Sequence, residues 1–212
     1  EKGSTMENKA TIGSVAKERA GLNPKDFVFI AVFGILLFLV FMAFSIVFSM
    51  NANLCWFTHT VGALFAGTVF MYLAYRVPKR GAIAIMGVIV GAVGLLMGMF
   101  WSGPVGIVVG GIVAELIAGD PQKRTKAKLI CAFAAFTFCF WLGQISLILM
   151  MGEAYAEMCV QAGMTLEYGQ TLVNSILSPM GVVTGIATIA GGLVGGFIGT
   201  KVFSKHFAKL GM

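Results

Sequence analysis

Beyond Asp26 the chain consists of long apolar runs broken by short polar connections. A helix needs roughly 20 apolar residues to cross the hydrocarbon of a bilayer. The pattern predicts six such helices, at 27–50, 54–77, 82–101, 105–118, 127–151 and 179–203. Asn23-Pro24 reads as an N-cap followed by proline at the first helical position, which places the first start. Asn51-Ala52-Asn53 and Ser102-Gly103-Pro104 are tight uncharged turns, Pro78-Lys79-Arg80-Gly81 is a basic one, and Gly119-Asp120-Pro121 stops the fourth run. One connection differs from these. Segment 152–178 is long and polar, carries Glu153, Glu157 and Glu167, and has no Lys or Arg. It predicts a lid on one end of the bundle, between the last two spans.

Charge orients the bundle. All 15 Lys and Arg residues lie in the N-terminal tail, the 2–3 and 4–5 connections and the C-terminal end, and the other three connections have none. Basic residues stay on the cytoplasmic side of a membrane. The fold class expected is therefore an all-α integral membrane protein with six transmembrane helices and both termini cytoplasmic. It divides into a cytoplasmic tail at 1–26, containing a short surface helix, and a membrane domain at 27–212 with the outer lid at 152–178. Residues 1–5 precede Met6 and read as an appended leader, and no cleavable signal peptide is expected.

Composition agrees with this picture. The chain is 58% hydrophobic and 11% charged, with mean hydropathy +0.91, whereas a soluble domain is about a quarter charged. The net charge of +6 does not point to nucleic acid, because the basic residues sit at the ends of apolar runs. Cys55, Cys131, Cys139 and Cys159 show no zinc spacing. Cys55 and Cys159 fall near the same face, so either a disulfide or two free thiols is compatible with the sequence. Glycines recur at four-residue spacing, as in Gly87 and Gly91, Gly106 and Gly110, and Gly192 and Gly196. Small residues let helices approach closely in lipid. Two readings follow: packing inside the bundle, or a face on the first or last helix that docks a membrane partner through Ala31, Gly34, Gly192 and Gly196.

Polar residues inside spans carry most of the functional information. Glu115, near the cytoplasmic end of the fourth helix, is expected to pair with Lys201 or Arg76, or else to couple a proton. His59, Trp56, Trp101, Gln144, Glu153, Tyr155 and Asn174 all fall in the outer half and form the candidate substrate-binding set. The tryptophans also suit interfacial anchors, and Gln144 suits a helix–helix hydrogen bond. The chain has no GxSxG, no HExxH and no GxxxxGK[ST]. A transport subunit is expected rather than an enzyme, with no catalytic residues, no metal site and no ATP hydrolysis of its own.

Several segments carry a resemblance. They are Asn23-Pro24-Lys25-Asp26-Phe27, Arg76-Val77-Pro78-Lys79-Arg80-Gly81, Ile85-Met86-Gly87, Ala114-Glu115-Leu116-Ile117, Glu167-Tyr168, Gly191-Gly192-Leu193-Val194-Gly195-Gly196 and Lys205-His206-Phe207. In this order the chain resembles the substrate-binding S components of energy-coupling-factor (ECF) transporters, and more narrowly their Trep_Strep family. The resemblance implies a multi-pass protein of a prokaryotic plasma membrane that captures a vitamin-like micronutrient at the outer face. The loops after helices 1, 3 and 5 would close over it. A membrane T component and two cytoplasmic ABC ATPases would then drive uptake. The Ala-xxx-Ala docking face of many such proteins is altered here, because Ala31 is followed by Gly34 and Ile35. Haem is the single ligand put first, as cargo rather than cofactor, with His59 as the axial nitrogen; His206 lies beyond the last helix on the opposite side. The alternatives are an autonomous secondary transporter or channel, and a ligand-free membrane scaffold.

Overall fold

The computed structural model describes residues 21–209, with side chains through Phe203. The surface helix expected within the tail and the side chain of His206 lie outside the described residues. Among the described residues there are eight α-helices and no strand. Helix α1 (Pro24–Phe48) is followed by a 3-10 turn, Cys55–Phe57, that leads into α2 (Thr58–Arg76). Then come α3 (Ala82–Leu96), α4 (Ser102–Ala118), α5 (Lys126–Met151), α6 (Ala154–Gln161), α7 (Leu166–Leu177) and α8 (Pro179–Lys209).

The start of α1 follows the local chemistry. The Asn23 side chain accepts the Asp26 N–H at 2.9 Å, and the Asp26 carboxylate accepts the Asn23 N–H at 2.8 Å. This reciprocal capping box satisfies two donors that no helix turn precedes. The third helix is shorter than its apolar run. It ends at Leu96 rather than near Trp101, because Gly98 takes a left-handed φ of 83° that favours glycine. The fourth begins at Ser102 rather than 105, with Pro104 in its first turn, where a missing N–H costs nothing.

Among the described residues, four helical segments are long and apolar enough to cross a membrane: Pro24–Phe48, Cys55–Arg76, Lys126–Met151 and Pro179–Phe203. Helices α3 and α4 are apolar but shorter, at 15 and 17 residues. At 1.5 Å per residue they reach about 22 and 26 Å, below a hydrocarbon thickness of about 30 Å. The expected lid is itself helical, a hairpin of α6 and α7.

The six longer apolar helices close a ring. Its neighbours are α1–α2, α2–α8, α8–α5, α5–α4, α4–α3 and α3–α1, and α2 also touches α5 across the middle. Glycines set the spacing. A Cβ on Gly106 of α4 would stand 2.6 Å from the Gly143 Cα of α5, and one on Gly195 of α8 would meet the Ala63 carbonyl of α2. No side chain fits at either contact, so backbone packs on backbone and gains dispersion contacts that lipid would otherwise supply.

The ion pairs occupy one end. Lys79 pairs with Asp26 at 2.7 Å, and Arg80 pairs with Asp120 at 3.1 Å. Glu115 corrects an expectation. Its partner is Arg124, and neither Lys201 nor Arg76 pairs with it. Its second oxygen accepts the Ile83 N–H at 2.9 Å. The carboxylate thus escapes the unfavourable dipole at its own helix's C-terminal end by facing the N-terminal turn of α3. Lys201 instead lies over the Phe197 ring, 4.6 Å from its centroid.

Candidate functional site

Three connections meet at the opposite end of the bundle: the turn after α1, the turn after α3, and the hairpin. The Tyr168 hydroxyl of α7 donates to the Ser49 carbonyl at 2.6 Å. Phe100 meets the Tyr155 ring edge-on, centroids 5.9 Å apart. Helix α7 is amphipathic, burying Leu172, Val173 and Ile176 while Glu167, Gln170 and Asn174 stay exposed. Gly169 lets it pack directly on Ala156 of α6. Together with Trp56, Trp141, Ile145 and Ile148, these residues form a hydrophobic core separate from the larger one in the rest of the ring. Burial pushes the Tyr155 and Tyr168 phenols and the Cys159 thiol above their ordinary ionisation ranges. All four cysteines are free thiols.

Beneath the hairpin lies a small cavity of ≈ 20 Å³. Helix α1 contributes Phe41, Met42 and Ser45; the 3-10 turn contributes Cys55; the start of α2 contributes Thr58 and His59; α5 contributes Phe140 and Gln144. It has room for about one water molecule. His59 is 2% exposed. Its ring stands edge-on to Phe140, centroids 4.7 Å apart, and 6.4 Å from Phe41. No well-aligned hydrogen bond reaches its Nδ1, and the Trp56 backbone is the polar group nearest the ring.

His59 is one of several such groups at this end. Trp56 Nε1, Trp141 Nε1 and Ser102 Oγ are likewise buried and unpartnered. An unmet buried polar group costs about 1–3 kcal/mol, and native interiors rarely keep them. In the cavity itself, the His59 imidazole, the Gln144 amide and the Ser45 and Thr58 hydroxyls converge beside Phe41, Met42 and Phe140, which has the character of a small-molecule site. A neutral imidazole nitrogen can accept a hydrogen bond or bind a metal. Among the described residues, no group of three or more His, Cys, Asp or Glu could hold a bare metal ion.

The sequence-derived set divides here. His59 and Gln144 line the cavity, while Trp56 and Tyr155 are buried in the adjoining core. Trp101 is 55% exposed and fits the interfacial-anchor alternative. Glu153 and Asn174 are exposed on the hairpin and do not line the cavity. Gly34 packs on Val90 and Met86, Gly192 on Ala134 and Thr137, and Gly196 on Ile130 and Met71. Packing inside the bundle accounts for all three, and only Ala31, half-buried, keeps an outward share. Sequence reasoning passed over Ser45, Thr58, Cys55, Ser102 and Trp141 as site residues. Ser45 had a signal, since it is the one hydroxyl in the apolar run from Phe27 to Phe48.

Comparison with curated proteins and with solved structures finds no match for either. A family model does match, over residues 24–209, nearly the whole described chain; its description is "Hypothetical bacterial integral membrane protein (Trep_Strep)". The apolar ring of helices agrees with that description, and the chain belongs to the Trep_Strep family of bacterial integral membrane proteins.

Proposed function

We propose that this protein is the substrate-binding S component of an ECF-type ABC importer in the bacterial plasma membrane. The observation that carries the reading is the set of buried, unpartnered polar groups beneath the hairpin: His59 Nδ1, Trp56 Nε1, Trp141 Nε1 and Ser102 Oγ. Of these only His59 lines the cavity, beside Gln144, so a ligand there meets those two directly and reaches the indoles and Ser102 only once the hairpin opens. On this reading the chain crosses the membrane six times with both termini cytoplasmic, and α3 and α4 act as short spans that the bilayer meets by thinning. The ion pairs at the end opposite the hairpin support that orientation.

Capture then requires opening. The cavity of ≈ 20 Å³ is an order of magnitude below the roughly 300–1,000 Å³ of ligand pockets. The hairpin is held by one hydrogen bond to α1 and by its own apolar face, so it is the element that moves. Haem is the cargo put first, with His59 Nδ1 as axial ligand; a vitamin-like molecule hydrogen-bonded by the same groups is the other. A membrane T component and two cytoplasmic ABC ATPases supply the energy.

Copurification from the native membrane tests this: a T component and two ATPases should be retained. In liposomes the chain alone should not concentrate ligand, and with those partners it should do so on ATP. Uptake driven by an ion gradient without partners would replace this reading with an autonomous secondary transporter.

A further inference from the structure

On the ring's outer surface, towards the basic end, α1, α2 and α8 leave a cleft lined by Phe33, Thr68, Val69, Tyr72 and Phe203. It measures ≈ 360 Å³, is open to the surroundings and exposes only apolar atoms. A chain of rings forms one wall: Phe29 stacks on Phe33 at 4.4 Å, Phe33 meets Tyr72 at 4.8 Å, and Tyr72 meets Phe203 at 5.0 Å. Residues four apart share a helix face. Lys25, Phe29 and Phe33 therefore form one stripe on α1, and Thr68, Tyr72 and Arg76 another on α2. Both stripes run towards the basic end and finish there in a cation. Lys25 and Arg76 are exposed, and neither forms an ion pair among the described residues.

We propose that this cleft is a binding site for one acyl chain of an anionic phospholipid, with the lipid phosphate held between Lys25 and Arg76. The chemistry selects this occupant over a protein helix. Helices pack in lipid through small residues that let backbones approach, and here Thr68 is the one small residue among Phe33, Val69, Tyr72 and Phe203. A single acyl chain is thin enough to lie among such rings and needs no hydrogen bond from them. Basic groups at the mouth of an intramembrane cleft are where anionic headgroups bind. The site is separate from the His59 cavity and does not depend on the transport reading.

Native mass spectrometry of the full-length protein in detergent, with phosphatidylglycerol or phosphatidylcholine of identical acyl chains added, tests the proposal. One phosphatidylglycerol should be retained at least tenfold more strongly than phosphatidylcholine. Lys25→Ala/Arg76→Ala should abolish that preference while leaving weak binding of both lipids. Thr68→Trp, which fills the cleft, should remove the tightly held lipid. Thr68→Phe repeats this with a smaller ring should the tryptophan variant fail to fold by circular dichroism. Inorganic phosphate should not displace the lipid. Equal retention of both lipids by the unmodified protein, or phosphatidylglycerol retention unchanged in a folded Thr68 variant, overturns the proposal. So does disulfide-linked dimer from Thr68→Cys in a background without native cysteines, because a second copy would then occupy the cleft.

Discussion

Tyr168 donates its hydroxyl hydrogen to the backbone carbonyl of Ser49 at 2.6 Å, joining residues 119 positions apart. Ser49 closes α1 and Tyr168 lies in the first turn of α7. The bond is therefore a direct polar latch between the hairpin and the ring. The same hydroxyl also meets the Cys55 side chain, and the rest of the hairpin's seat is largely apolar.

Removing the latch should loosen the hairpin without unfolding the ring. A neutral hydrogen bond contributes about 0.5–1.5 kcal/mol, so Tyr168→Phe should raise the hairpin's opening equilibrium about fivefold. Hydrogen exchange at residues 154–177 should speed up by that factor while α5 and α8 are unchanged. Equal acceleration throughout the ring would show that Tyr168 stabilises the whole fold instead.

Alkaline pH should open the same element. The Tyr168 and Tyr155 phenols are raised above their ordinary 10.0, and the Cys159 thiol above its ordinary 9.0, in each case chiefly by burial. The docked hairpin thus holds these protons more tightly than the undocked one. Its stability is complete below about pH 9 and declines as pH rises through the undocked values. Exchange protection factors of α6 and α7, corrected for intrinsic rate, should fall above about pH 9. A flat profile to about pH 10.5 would mean that these groups are not buried in the closed state.

The Glu115–Arg124 pair should be structural. Its side chains are only 15% and 5% exposed. Removing one partner from such a pair leaves a buried charge and typically costs about 3–5 kcal/mol. Arg124→Ala should markedly lower the thermal midpoint in detergent, and Glu115→Gln/Arg124→Met should recover much of the loss. If Arg124→Ala unfolds like the parent protein, the pair is solvated and the proton-coupling alternative for Glu115 regains interest.

Topology has a direct check. With the four native cysteines replaced, single cysteines at Asn53 and Gln170 should react with a membrane-impermeant maleimide added outside intact cells. One at Lys79 should react only after permeabilisation. Labelling of Lys79 from outside would reverse the orientation on which the capture step depends.

The six longer helices were legible from the sequence because lipid imposes a single rule, long apolar runs, and Asn23-Pro24 marked the first start; α6 and α7 were not, because their polar segment follows no such rule. The end of α3 was not, because the apolar run continues through Leu95-Leu96-Met97 while the backbone turns at Gly98. Hydropathy reports the solvent and says nothing of a left-handed φ. Glu115's partner was missed for a related reason. Arg124 is close in sequence, at the far side of a turn, whereas Lys201 and Arg76 lie on other helices of the bundle. Depth along the helices grouped His59, Gln144, Trp56 and Tyr155, and the structure places them in the cavity or the core beside it. It could not tell which residues at that depth face inward, so Trp101, Glu153 and Asn174 were grouped with them.

Replacing His59 is the decisive experiment at the cavity. Its imidazole is boxed by Phe41 and Phe140, and no well-aligned hydrogen bond reaches Nδ1. His59→Ala removes that nitrogen and leaves Gln144, Ser45 and Thr58 in the wall, so it should fold and still purify with any transporter partners. Ligand affinity should fall by roughly tenfold to a hundredfold if His59 gives a hydrogen bond of about 1.5–3 kcal/mol. If the cargo is haem, the Soret band of the loaded protein should shift or vanish, because the axial nitrogen is gone. Gln144→Leu separates the two chemistries: it should weaken a hydrogen-bonded vitamin-like ligand and leave an axial haem spectrum in place. An unchanged haem spectrum in folded His59→Ala rules out axial ligation by His59. If neither variant alters binding of any ligand that the unmodified protein retains, binding happens elsewhere and the unpartnered groups beneath the hairpin have another cause.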